Sequence, residues 1–359
     1  MEGVISLGVG EPDFVTQWRV REACISSLER GYTAYTSNAG MLELRKEIHK
    51  YLEERFAVSY HPEREMLITV GASEAIDIAL RAIVDPGDEV LVVEPCYVSY
   101  EPVIRLAGGV PVFLRTNAEQ QFKLTPEELE AHISPRTKAI IFCYPNNPTG
   151  RTMTAEEWKR LLPVIEKHDL LVISDEIYAE LTYGRRHESI AALPGMKDRT
   201  ILISGFSKAF AMTGWRLGYV CASPDLLTGM LKIHQYTMLC APVMAQMAAL
   251  EALRHGQEDM ERMVESYRQR RNFVVQGFQE IGLACHEPEG AFYAFPSIRS
   301  TGLDAAQFAE GLLMEEKVAV VPGDVFGDCG KGHIRCSYAT SLDQLQKALE
   351  RIGRFVQKQ

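Results

Sequence analysis

The chain has 359 residues, a formal net charge of −10, 46% hydrophobic residues and 24% charged residues. This is the composition of an ordinary globular protein of about two domains. The acidic balance argues against nucleic acid as a partner, because phosphate backbones bind to basic surfaces. No apolar run approaches the roughly 20 residues of a membrane-spanning helix, and no signal peptide is visible, so we expect a cytoplasmic protein with no membrane partner.

Short apolar runs separated by amphipathic stretches dominate the first two thirds of the chain. The runs predict strands at 66–70, 89–93, 110–114, 138–143, 170–174, 200–204 and 217–221. The amphipathic stretches predict helices at 74–83, 99–107 and 155–167. Buried strands that alternate with helices indicate a mainly parallel sheet covered on both faces. Functional groups in such sheets gather at the carboxyl ends of the strands.

The pattern changes after about residue 222. A long helix is predicted at 258–281, and the later elements are a strand-like segment at 291–296, a helix at 305–316, strands at 318–321 and 333–339, and a last helix from Ser341. Such a mixture is typical of a smaller α+β domain. We expect the boundary between the two domains to lie in or near the long helix.

The strongest chemical signal follows the predicted strand at 200–204. Lys208 lies in the run Ser-Gly-Phe-Ser-Lys-Ala-Phe-Ala-Met-Thr-Gly-Trp-Arg, which is rich in small and aromatic residues. Most lysines are solvated surface charges, but burial here would favour the neutral amine, which can form a Schiff base. Arg216, which ends this run, calls for an anionic partner, and either a phosphate or a structural salt bridge would serve.

Small residues follow the predicted strand at 66–70. Gly71, Ala72 and Ser73 would open the next helix and leave free backbone N–H groups, which is the arrangement of a phosphate cradle. The alternative is a tight turn in which Ser73 caps the helix.

Polar side chains follow two further strands. Asn147 lies in a Pro-Asn-Asn-Pro turn after the strand at 138–143, where it is a candidate hydrogen-bond donor to a ligand or part of a simple turn. Asp175 closes the strand at 170–174 and would either cap a helix or bind a cationic group of a ligand. Tyr178 follows one helical turn later.

Taken together, these motifs resemble the class I/II aminotransferases of the fold-type I enzymes that depend on pyridoxal 5′-phosphate (PLP). The resemblance extends from the Leu-Gly-Val-Gly-Glu-Pro-Asp-Phe segment at 7–14 to 335–339, and the Ser-Lys-Ala-Phe-Ala-Met-Thr-Gly-Trp-Arg stretch is highly specific for the family. Within the family the chain is similar to the bacterial group of aspartate and aromatic aminotransferases. The resemblance implies an α/β fold with a mainly parallel seven-stranded sheet in a large PLP-binding domain at 20–260. It also implies a small α+β domain built from 1–19 and 261–359.

The resemblance also implies a role for each matching residue. The catalytic residues would be Lys208, which carries PLP as an internal aldimine and then shuttles a proton, Asp175, which keeps the ring nitrogen protonated, and Tyr178. The residues expected to bind the cofactor are Gly71, Ala72, Ser73, Tyr97, Asn147, Asp175, Tyr178, Ser207, Lys208, Arg216 and, from the neighbouring subunit of a homodimer, Tyr35. The residues expected to bind the substrate are Gly10, Asn147 and Arg335.

The implied activity is transfer of an amino group from an L-amino acid to a 2-oxo acid, with 2-oxoglutarate as the usual acceptor, by a ping-pong mechanism. PLP-dependent lyases, such as carbon–sulfur β-lyases and aminocyclopropane-carboxylate synthases, share the scaffold and are the alternative. A PLP-binding regulator would need a DNA-binding helix-turn-helix, which this sequence does not contain. A dinucleotide-binding oxidoreductase would need G-x-G-x-x-G after its first strand, which is also missing.

Two further expectations concern metals and specificity. The eight cysteines form no C-x-x-C pair, so we expect buried free thiols and no metal. Arg105 and the pair Arg185-Arg186 are candidates for binding a distal substrate carboxylate, although surface charge explains them better. The apolar and aromatic segments at 234–239 and 292–293 favour neutral or aromatic amino acids over aspartate.

Overall fold

The computed structural model describes residues 2–359, and strands and helices alternate along most of them. The strands are β1 (Ile5–Ser6), β2 (Met66–Thr69), β3 (Glu89–Glu94), β4 (Val110–Arg115), β5 (Thr137–Cys143), β6 (Leu171–Asp175), β7 (Thr200–Gly205), β8 (Gly218–Cys221), β9 (Tyr293–Ala294), β10 (Val318–Ala319), β11 (Val321–Pro322) and β12 (Ile334–Ser337). The α-helices are α1 (Trp18–Glu29), α2 (Leu42–Phe56), α3 (Gly71–Ile83), α4 (Tyr100–Leu106), α5 (Pro126–Ala131), α6 (Ala155–Lys167), α7 (Pro224–Thr237), α8 (Val243–His255), α9 (Gln257–Glu280), α10 (Ala305–Glu316) and α11 (Leu342–Val356). Short 3₁₀ helices lie at Ile190–Ala192, Lys197–Arg199, Arg299–Thr301, Gly323–Phe326 and Asp328–Gly330.

A seven-stranded sheet with the order β2-β8-β7-β6-β5-β3-β4 forms the centre of the molecule. β8 pairs antiparallel with β2 and β7, whereas the other neighbours pair in parallel. Every residue of β3 and β7 is buried, because helices cover both faces of the sheet. The predicted mainly parallel sheet is confirmed, and each of the predicted strands between 66 and 221 belongs to it.

The last third of the chain, together with the N-terminal strand β1, builds two smaller sheets. β1 pairs in parallel with β10, and β11, β12 and β9 form an antiparallel sheet in that order. One buried apolar cluster joins Ile5 and Leu7 to Tyr267 of α9, Phe308 of α10 and Ile352 of α11. The N-terminal segment therefore packs with the C-terminal elements. The division into residues 20–260 and the remainder stays a prediction.

The predicted strand at 318–321 is wrong in one respect. It is two strands in different sheets, because 318–319 pair with β1 while 321–322 pair with β12. The strand-like segment at 291–296 forms a ladder only at Tyr293–Ala294. The predicted helix at 305–316 has the observed bounds, and its start is fixed by a reciprocal capping box between Asp304 and Gln307.

Three further observations concern membrane-spanning helices, cysteines and metal ligands. No helix within residues 2–359 has both the length and the apolar character that crossing a bilayer requires. All eight cysteines are free. In the same described range, no three residues among the histidines, cysteines, aspartates and glutamates are placed to share a metal ion.

Candidate active site

The carboxyl ends of the parallel strands open into a cavity of about 650 Å³. Its opposite wall comes from the C-terminal sheets, through Tyr293 of β9 and Arg335 of β12. The predicted site residues that line the cavity are Gly10, Ala72, Ser73, Tyr97, Asn147, Asp175, Tyr178, Ser207, Lys208, Arg216 and Arg335. Motifs that are far apart in the sequence therefore meet in one place. Two of the predicted residues, Gly71 and Tyr35, are not part of the lining.

Lys208 follows β7 and projects its amine into the cavity. Nζ donates a hydrogen bond to the Gly10 carbonyl oxygen at 2.6 Å and lies 5.7 Å from the ring centre of Tyr178. Burial lowers the pKa of the Lys208 amine to about 8, with Glu11 opposing the shift and Arg335 adding to it. The neutral amine that a nucleophile or a proton acceptor requires is therefore far more accessible near neutral pH than it is for an exposed lysine.

Asp175 is the last residue of β6 and lies at the bottom of the cavity. Its Oδ2 accepts a hydrogen bond from the Tyr100 hydroxyl at 2.7 Å, and its Oδ1 accepts one from the Ile177 N–H at 3.2 Å. Burial raises the pKa of this carboxyl to about 6, while the hydrogen bond from Tyr100 opposes the shift. The group is therefore mainly a carboxylate at neutral pH and can hold a cationic ring nitrogen.

The first turn of α3 supplies an anion site. The helix starts at Gly71 without a side-chain cap, so the N–H groups of its first turn have no partner within the helix. A Cβ added at Gly71 would lie 2.7 Å from Nη2 of Arg216, and one added at Gly218 would lie 2.6 Å from N of Ala72. Glycine is favoured at both positions, because φ is +77° at Gly71 and the close contact at Gly218 is with backbone. The close approach at these glycines places the Arg216 guanidinium and β8 next to the free N–H groups of the first turn of α3. This arrangement suits a phosphate.

Arg335 and Asn147 form a second anion site on the opposite wall. Arg335 donates from Nη1 to Oδ1 of Asn147 at 2.9 Å and from Nη2 to the Gly8 carbonyl oxygen at 2.6 Å. Its guanidinium packs 4.4 Å from the ring centre of Tyr293. The planar guanidinium lines the cavity, so it can also form a charge-assisted pair with a carboxylate there.

Aromatic rings complete the walls between the two anion sites. The hydroxyl groups of Tyr178 and Tyr293 are hydrogen-bonded to each other at 2.8 Å. Tyr97 lines the cavity next to Tyr100, with the two rings edge to face at 5.6 Å. Tyr100 was not predicted as a site residue, because its spacing from Tyr97 does not by itself indicate a contact with Asp175.

The arginines predicted as candidates for binding a distal substrate carboxylate lie outside the cavity. Arg105 forms an exposed ion pair with Glu101 on α4. Arg185 hydrogen-bonds to Thr152 and pairs with Glu289, and neither it nor Arg186 lines the cavity.

The mouth of the cavity is lined instead by Val9, Val98 and Val325, whose exposed fractions are 57%, 47% and 49%. Phe326 lies just inside this rim, and its ring centre is 5.0 Å from the Arg335 guanidinium. Val9 lies in the 7–14 motif and Val325 and Phe326 in the 3₁₀ helix Gly323–Phe326, but none of these residues was predicted at the site from the sequence.

The donor set fits PLP. The anion site at α3 matches its phosphate, the Asp175 carboxylate matches a protonated ring nitrogen, and the Lys208 amine lines the same cavity. The Arg335 guanidinium can in addition pair with a carboxylate.

Comparisons with known proteins agree with this arrangement. The family model for aminotransferase class I and II matches residues 2–352. The chain is 61% identical over 358 residues to the putative aminotransferase YugH of Bacillus subtilis (strain 168), with 100% of this chain and 93% of that protein covered. It is 42% identical over 361 residues to an aspartate aminotransferase of Pyrococcus abyssi, with 100% and 93% covered. The crystal structure of the aromatic aminotransferase from Pyrococcus horikoshii OT3 superposes with a TM-score of 0.97 at 42% identity, covering 100% of this chain and 97% of that one.

The fold is thus that of the fold-type I aminotransferases. The chain belongs to the class I and II aminotransferases and is an enzyme of the transaminase type. The family and the fold class predicted from the motifs are confirmed.

Proposed function

We propose that this aminotransferase uses PLP, held by Lys208, to move the amino group of an L-amino acid to a 2-oxo acid in a ping-pong reaction. The observation that carries the proposal is the convergence of the Lys208 amine, the Asp175 carboxylate and two separate anion sites in one cavity. When bound, PLP supplies an electron sink for the charge left on the substrate Cα after its proton is removed.

Each residue has a distinct part in this scheme. Asp175 would keep the proton on the ring nitrogen, and the neutral amine of Lys208 would accept the proton from the substrate Cα and donate it again. Tyr178 and Asn147 donate hydrogen bonds to the phenolic oxygen of the cofactor, while Tyr97 packs against the ring.

The two anion sites fix the reacting bond relative to the ring. The backbone of Ala72 and Ser73, with Ser207 and Arg216, holds the phosphate. Arg335 holds the substrate α-carboxylate, with help from Asn147 and the backbone near Gly10.

The cavity lining supports neutral or aromatic amino acids as donors. Within residues 2–359 the cations that line it are Lys208, Arg216 and Arg335, and each already has a partner in this scheme. A distal carboxylate would meet the valine rim and the carboxylate of Glu11, without a cation. The acceptor 2-oxoglutarate would leave its second carboxylate hydrated at the open mouth, and the glutamate formed from it would bind in the same way.

Tyr35 supports a homodimer with shared sites. It lies in the connection between α1 and α2, outside its own cavity, and is 83% exposed. Asn38 of the same connection donates to the Leu239 carbonyl oxygen at 2.7 Å, which brings the 84% exposed Tyr236 into the same region. Large exposed aromatic residues favour an interface, and the family resemblance implies that Tyr35 would reach the partner's phosphate across a two-fold axis. We expect the dimer to work in the cytoplasm, where its free cysteines stay reduced.

The test is a panel of amino donors against 2-oxoglutarate and pyruvate with the purified, PLP-loaded protein. We expect aromatic and neutral donors to be used and the cofactor to end in its amine form after one half-reaction. Release of ammonia or cleavage of a carbon–sulfur bond, with the cofactor returned to its aldehyde form, would establish a lyase instead.

A further inference from the structure

Tyr100 is a buried residue of the cavity with no assigned role. It is the first residue of α4, its exposed fraction is 1%, and it lines the cavity beside Tyr97. Its hydroxyl donates to Oδ2 of Asp175 at 2.7 Å. Because α4 and β6 are separate elements, this bond fixes the carboxylate from outside its own strand.

The Asp175 carboxylate can accept a further hydrogen bond in addition to the two that it already accepts. Oδ1 accepts from the Ile177 N–H at 3.2 Å and Oδ2 accepts from Tyr100. Each carboxylate oxygen can accept two hydrogen bonds, so lone pairs remain that can face the cavity. The two existing bonds set the rotation of the carboxylate about its side-chain axis.

We propose that Tyr100 is a positioning residue, whose hydroxyl keeps the Asp175 carboxylate ionised and oriented so that it can hold the proton on the ring nitrogen of PLP. The inference rests on the proposed function, since it concerns the same site. A neutral carboxyl group could not retain that proton, and a carboxylate that rotates freely would hold it in a poorer geometry.

The ionisable groups around Asp175 show why a hydroxyl matters here. Tyr100 approaches from α4, Cys143 from the neighbouring strand β5, Glu176 from the adjacent backbone and Lys208 from the segment after β7. Burial, the strongest influence, favours the neutral acid, as does Glu176, whereas Tyr100 and Lys208 favour the anion. Burial also raises the pKa of the Cys143 thiol to about 12, so this neighbour stays neutral. Loss of the Tyr100 hydroxyl therefore moves the pKa of Asp175 further upwards.

The experiment compares Tyr100→Phe with Tyr60→Phe. Tyr60 is also fully buried, and its hydroxyl donates to the backbone oxygens of Lys197 and Thr200, away from the cavity. Each variant removes one buried phenolic hydroxyl, so thermal unfolding of both reports the cost in stability.

The decisive readout is the protonation of the cofactor itself. Nitrogen NMR of protein loaded with ¹⁵N-labelled PLP follows the ring nitrogen as the pH is raised. In Tyr100→Phe we expect it to lose its proton about one pH unit or more below the wild type, because the partner carboxyl is less anionic. We also expect kcat to fall about tenfold or more with little change in KM. Tyr60→Phe should match the wild type in both respects.

A double-mutant cycle tests whether Tyr100 acts through Asp175. In an Asp175→Asn background, adding Tyr100→Phe should cost little further activity, because the group it positions is already gone. The double variant removes the hydroxyl of Tyr100 and the charge of Asp175 together, so no buried carboxylate loses its donor, and the comparison remains informative if Tyr100→Phe alone folds poorly.

Two results would overturn the inference. One is an unchanged ring-nitrogen titration in Tyr100→Phe, and the other is equal losses from Tyr100→Phe in the two backgrounds. Failure of the wild type to bind PLP or to transaminate would refute the proposed function instead, so the two failures are distinguishable.

Discussion

Replacing Arg335 by alanine tests its proposed role in binding the substrate α-carboxylate. Arg335 is 8% exposed, and its guanidinium donates hydrogen bonds to Oδ1 of Asn147 and to the Gly8 carbonyl oxygen. Every amino-acid substrate shares the α-carboxylate, so the variant should raise KM for every donor. Asn147 would also lose the group that holds its side-chain oxygen.

The size of the effect follows from the burial of this site. Removing one partner of a buried, charge-assisted pair costs about 2–5 kcal/mol. Since each 1.4 kcal/mol is about a factor of ten, kcat/KM should fall by about 30-fold to several thousand-fold. Arg335→Lys keeps a charge but not the planar fork, so it should recover only part of the loss.

The assay measures kcat and KM for aromatic, neutral and acidic donors with the PLP-loaded protein. Arg271→Ala is the matched control. Arg271 is equally buried, donates to the Pro288 carbonyl oxygen at 2.8 Å and does not line the cavity. A loss in Arg335→Ala that is confined to dicarboxylic substrates would show that Arg335 recognises the side chain instead of the α-carboxylate.

Three other predictions address the cofactor and the dimer. Asp175→Ala should still bind PLP but lose about 3–4 kcal/mol of barrier lowering in kcat, and a variant within about tenfold of the wild type would show that Asp175 is only structural. Burial lowers the pKa of Lys208 from 10.5 to about 8, and the neutral form above that pKa is the nucleophile. Capture of pyridoxal by the cofactor-free protein should therefore rise with pH around a midpoint near 8, and a midpoint near 10.5 would contradict the burial argument. Refolding Lys208→Ala and Tyr35→Asp chains together in equal amounts should restore about a quarter of wild-type activity, because half of the dimers are mixed and each has one intact site. No recovery in a sample with proven mixed dimers would refute the shared site.

The sequence predicted the central sheet well because its strands have a simple signal. Strands buried on both faces are continuous apolar runs, and all of those at 66–221 appear in the sheet within one or two residues. The smaller sheets were harder to predict. Whether 318–321 forms one strand or two depends on which partners lie beside it, and tertiary packing decides that choice.

The site residues that could be predicted are those that lie in recognisable sequence motifs. Lys208, Asp175 and Asn147 follow parallel strands, whose carboxyl ends meet at one edge, so their convergence follows from the topology. Arg335 was assigned only through the family resemblance. Tyr100 depends on how α4 packs against β6, and no pattern in its own segment records that contact.

The central claim, that Lys208 carries PLP, has a direct test. The purified protein is incubated with PLP, reduced with borohydride, digested and analysed by mass spectrometry. We expect a pyridoxyl label on Lys208 of the wild-type protein and none in Lys208→Ala. The variant should keep its fold and lose transamination. A label on another lysine of the wild-type protein, with Lys208 unmodified, would contradict this claim.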